Sequence, residues 1–168
     1  MNFDQRLRRA IERGERVRDA RSQSEEVKAL DAHGLRSLHS QSRLELSEAI
    51  EVVLQRLSEH FPGFDYSTVV GEAGWGARII RDDLQLIPGQ PTTNLYSRLE
   101  IVVSSLKDAM ILELVGKGTI HNREVFHRRH YQNLDNLDIK AFRDLVDFWS
   151  LEYAEQFAAA QHPPAGRH

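Results

Sequence analysis

LYSRLEIVVSSLKDAMILELVGKGTI, residues 95–120, is the stretch that decides the fold. Its apolar residues recur every second position, the period of a strand with one face buried. Leu99, Ile101 and Val103 share one face, with Arg98 and Glu100 on the other. Met110, Leu112 and Leu114 share a face of a second strand. A turn around Lys107-Asp108 sets Ile101 opposite Leu112 and Leu99 opposite Leu114, so the apolar sets coincide. A one-residue slip would turn one set outward, which makes this an antiparallel hairpin with a single apolar face.

Further strands flank this hairpin. Upstream, Trp75 to Leu86 reads as a strand broken by a bulge at Asp82-Asp83, and Pro88-Gly89 suits the centre of a type II turn. Downstream, a turn near Asn122-Arg123 leads to a strand from Val125 to Tyr131. Short connections make the four strands an antiparallel meander.

The meander needs a cover. Phe142, Leu145, Val146, Trp149, Tyr153 and Phe157 form one apolar stripe on a helix from Asp138 to Ala160, with Asp138 as its N-cap. Before the strands, Leu38, Leu46, Ile50, Val53, Leu54, Leu57 and Phe61 follow helical spacing; Ser42 and Glu45 suggest a capping box, and Pro62-Gly63 ends the helix. Residues 3–30 read as a more polar helix interrupted by Gly14. The expected fold is α+β: two N-terminal helices, a four-stranded meander and a C-terminal helix packed on it. Residues 1–33 are then a polar arm, 34–160 the α+β domain, and 161–168 a disordered tail.

Composition narrows the function classes. The 168 residues are 40% hydrophobic and 28% charged, with net charge −3 and no apolar run long enough to span a membrane. With no cysteine, disulfides, thiolate metal sites and a cysteine nucleophile are excluded, and a reducing, cytoplasmic compartment is the expected location. Residues 1–21 hold seven arginines against four acids. Glu12, Glu15 and Asp19 interleave with those arginines, so nucleic acid is not the expected partner.

The densest chemistry lies in residues 117–131, where Lys117, Arg123, Arg128 and Arg129 face only Glu124, with His121, His127 and His130 added. His127 and His130 are three apart on a strand, so they point to opposite faces and cannot share a metal ion. Gly71-Glu-Ala-Gly74-Trp-Gly76 resembles a phosphate loop only in composition, since it enters a strand and not a helix. No nucleophile sits beside a base, so no catalytic residue, metal or cofactor is assigned. Pairing across the turn near Asn122 sets Arg129 opposite Gly116, His127 opposite Gly118, and Tyr131 beside Leu114. That arrangement suggests a polar pocket between sheet and closing helix.

Two functions follow as expectations. The first is a non-catalytic protein-binding or adaptor domain that acts as a homodimer. Its contacts would come from Phe3, Leu7, Ile11 and Val17 of the arm, with Trp75 as a further contact. The spacing past Val17 gives Arg21, Ser24 and Lys28, so the stripe is short and no sustained heptad follows. The second is a small-molecule binder or small enzyme using Gly116, Gly118, His127, Arg129 and Tyr131.

Overall fold

The computed structural model describes residues 2–161, and for residues 26–30 only the backbone. The order is α1 (Phe3–His60), β1 (Asp65–Gly71), β2 (Gly74–Gln85), β3 (Thr93–Val103), β4 (Ile111–Ile120), β5 (Arg123–Asn133), a 3-10 turn (Leu134–Asn136) and α2 (Ile139–Ala160). The fold class is α+β, as expected. Residues 162–168 of the expected tail lie outside the described residues. The chain divides into two compact units, one ending at Leu38 and one beginning at His39.

Both N-terminal helical segments form, and they run on as one helix. Ser42 is therefore buried inside the helix and does not cap it, while Glu45 pairs with Arg143 of α2. The cap is Asn2, whose Oδ1 accepts the Gln5 N–H at 2.9 Å.

The sheet has five strands, in the order β1-β2-β3-β4-β5, one more than expected. The addition is β1, an edge strand in which only Val69 is buried. Such a strand shows almost no apolar alternation, which is why period-2 reading passes over it. β2 pairs with β3 without a break, Asp82 facing Tyr96 and Asp83 facing Leu95, so the expected bulge is absent. The type II turn is present: Gly89 has φ 80°, and the Gln90 N–H donates to the Ile87 carbonyl at 3.1 Å.

Between β3 and β4 the partner of Ile101 is Gly116, not Leu112, and that of Leu99 is Gly118. The connection is wider than a tight turn, but the displacement is even, so Leu112 and Leu114 keep their face, while Met110 lies outside β4 in the preceding turn with φ 52°. Ala77, Ile79, Leu99, Ile101, Val103, Leu112 and Leu114 are fully buried on that face. From α2, Phe142, Val146, Trp149, Tyr153 and Phe157 fill the core, and Asp138 caps the helix by accepting the Ala141 N–H. Phe61, Phe64, Tyr153 and Phe157 pack ring on ring at one end, with Phe64 and Phe157 centroids 4.9 Å apart.

His39 marks the buried start of the larger unit. Burial lowers its pKa, the nearby Arg43 charge adds to this, and a hydrogen bond with the Ser104 backbone opposes it. The folded protein thus favours neutral His39, and the stability this residue contributes is fully present above the unfolded pKa of 6.5. As pH falls from there through the folded-state value, the unfolded chain takes up the proton first and stability declines. Denaturant unfolding of wild type and His39→Gln at pH 7.5 and 5.5 tests this. The variant is expected to lose less stability on acidification than wild type, and equal losses would refute the assignment.

Candidate functional site

The β4–β5 hairpin carries most of the candidate residues, and its register decides where they point. His121 and Asn122 both have positive φ, 48° and 68°, which builds the two-residue turn whose twist suits a hairpin. Asn122 ties the tip to β3: its Oδ1 accepts the Tyr96 N–H at 2.9 Å and its Nδ2 donates to the Asn94 carbonyl at 2.7 Å. Two positions later the register shifts. Thr119 pairs with Glu124 but Gly118 pairs with Phe126, leaving Val125 as the extra residue of a bulge. The Tyr153 hydroxyl donates to the Thr119 carbonyl at this point, 2.9 Å away.

The bulge reverses the expected faces of β5. Phe126, Arg128 and His130 face α2: Phe126 is buried, Arg128 holds Glu152 with two hydrogen bonds, and the His130 ring meets Phe142 at 4.9 Å. Arg128 in turn holds the Glu152 carboxyl below its ordinary pKa. His127, Arg129 and Tyr131 project from the other face, opposite Lys117, Val115 and Glu113 respectively.

Gly116 and Gly118 are thus separated from the residues expected to border them. A Cβ on Gly116 would lie 2.6 Å from Trp149 Cε3, and one on Gly118 would lie 3.1 Å from the Phe126 and Tyr153 rings. The glycines make room for aromatic rings of the core. The expected pocket beneath the closing helix is not built from these five residues.

His127 and Arg129 do help to line a hollow of about 300 Å³ on the opposite, open face of the sheet. Glu113 is buried there, accepting from Ser104 Oγ at 2.8 Å and Lys107 Nζ at 3.4 Å, with Arg129 Nη1 at 3.8 Å. Glu100 holds Arg98 at 2.6 Å and Arg78 at 3.6 Å. Burial opposes the Arg98 charge, but Glu100 outweighs it and raises the Arg98 pKa. Lys117 has no ion-pair partner among the described residues. Among the residues that line the hollow, Glu72, Glu100 and Glu113 equal Lys107, Lys117 and Arg129 in number, and His127 is added. Tyr131 stands beyond its lining, 63% exposed. A cleft of about 320 Å³, lined by Val53, Leu57 and Leu151, lies between α1 and α2. Trp75 is half-buried, with the Arg43 guanidinium over its ring at 4.0 Å.

The unit ending at Leu38 is different in kind. Phe3, Leu7, Ile11 and Val17 are 72%, 46%, 52% and 59% exposed. At helical spacing they lie on one side, with Ala10 and Gly14 between them. The apolar stripe has no cover among the described residues. No group of three or more potential metal ligands forms among the described residues, and no helix there is long and apolar enough to cross a membrane.

No family model matches the chain, and neither a curated protein nor a solved structure matches it.

Proposed function

We propose that the protein is a non-catalytic adaptor domain that works as a homo-oligomer, joined through the N-terminal arm. The exposed stripe of Phe3, Leu7, Ile11 and Val17 carries this reading. A lone helix gains stability in proteins chiefly by burying one face, and this face is open. Burying an apolar side chain of this size is worth roughly 1.5–3 kcal/mol, so two copies contribute enough to offset the entropy of association, with little surplus. The expected complex is therefore weak and concentration-dependent.

Sedimentation of the full chain over a wide concentration range tests the reading. Wild type is expected to shift from monomer to a larger species as concentration rises. The Leu7→Glu/Ile11→Glu chain should stay monomeric, with the thermal midpoint of the larger unit unchanged. A wild-type chain that remains monomeric throughout would sink the proposal.

A further inference from the structure

The arm's charges are sorted about its apolar stripe. Arg6 and Arg13 border the stripe on one side, with Arg9 and Arg16 further round; Asp4 and Glu15 border it on the other. All four residues at the borders are exposed, and none forms an ion pair among the described residues. The acidic side is less pure, since Arg8 falls on it, and Arg18 lies within the stripe, at the angle between Leu7 and Ile11.

This sorting selects an orientation. When two identical helices pair through the same stripe and run parallel, the two-fold axis lies along them, and each rim brings one copy's left flank against the other's right. Basic meets acidic. When they run antiparallel the axis crosses them, and each flank meets its own copy, arginine against arginine. Like charges across such a rim disfavour the antiparallel arrangement.

The axial positions agree with the parallel case. Arg6 and Asp4 are two residues apart, as are Arg13 and Glu15, so each pair differs in height by only about 3 Å in an in-register dimer. We infer that the partner of the arm is the arm of a second copy, running parallel and in register, with Arg6 facing Asp4 and Arg13 facing Glu15 across the two chains. This rests on the arm-mediated association proposed above, and adds the partner's identity and direction.

Two measurements on the full chain test it. The first is the effect of Arg13→Glu on the dissociation constant by sedimentation. In the parallel dimer it sets glutamate against Glu15, and association is expected to weaken roughly tenfold; adding Glu15→Arg restores the pair and the affinity. In an antiparallel dimer Arg13→Glu removes a like-charge contact and association would tighten, which overturns the inference.

The second uses the absence of cysteine, which makes an introduced thiol unique. Position 21 continues the stripe, so Arg21→Cys is expected to form a disulfide between copies under mild oxidation only if the arms are parallel. A concentration-dependent dimer that neither cross-links through Cys at this position nor responds to the charge reversal in the expected direction defeats the parallel arrangement but keeps the arm-mediated oligomer. A chain that never dimerises defeats both.

Discussion

Gly76→Ala is expected to lower the unfolding free energy by on the order of 3 kcal/mol or more, and the thermal midpoint by about 10 °C. Gly76 lies in β2 opposite Val102 of β3. A Cβ built there would sit 2.0 Å from the Ile101 carbonyl oxygen and 2.9 Å from the Val102 Cα. Both are backbone atoms of the neighbouring strand, so no change of rotamer can relieve the overlap. The strands would have to separate where Ala77 and Ile101 are fully buried. Gly34→Ala serves as the control, since nothing lies within 4 Å of a Cβ at that helical position. Its midpoint should be unchanged or slightly raised, because alanine favours helix over glycine. A Gly76→Ala chain as stable as wild type would show that the β2–β3 pair yields far more easily than this geometry implies.

Trp149→Ala is expected to cost about 3–5 kcal/mol, as removal of a large buried ring from a close-packed core usually does. Trp149 is 3% exposed and covers Gly116, whose missing side chain gives it room. Gly116→Ala alone should cost about 1–3 kcal/mol, because the new methyl meets the ring and not the flexible end of a chain. The informative measurement is the double-mutant cycle. Combined with Trp149→Leu, Gly116→Ala should destabilise much less than it does beside tryptophan, giving a clear negative coupling. Additive losses would mean that Gly116 is present for some reason other than the ring.

Much of the architecture was legible because it depends on local periodicity. The α2 stripe, its Asp138 cap and the alternation in β3 and β4 each follow from short-range chemistry, and each is present. The Pro88-Gly89 turn follows for the same reason, since only a positive φ closes it and glycine tolerates one. Even the wrong partner for Ile101 was harmless, because an even displacement preserves faces. β1 carries almost no such signal, because its exposed edge position leaves Val69 as its only buried residue.

The site was less legible because it depended on parity. One extra residue at Val125 moves Phe126 inward and sends His127, Arg129 and Tyr131 to the open face. The side on which period-2 pairing puts the pocket is filled by the rings of Trp149, Phe126 and Tyr153. The arm is the converse case. Its apolar stripe follows from spacing alone, and the structure leaves Phe3, Leu7, Ile11 and Val17 exposed.

By itself the sequence determined the fold class, the closing helix and the apolar face it covers, because periods of 3.6 and 2 are written in neighbouring residues. Only the tertiary structure decided which side of the sheet each β5 residue takes. A bulge is chosen by the fit of Trp149, Phe126 and Tyr153 around Gly116 and Gly118, residues far apart in the chain whose contacts no local pattern encodes.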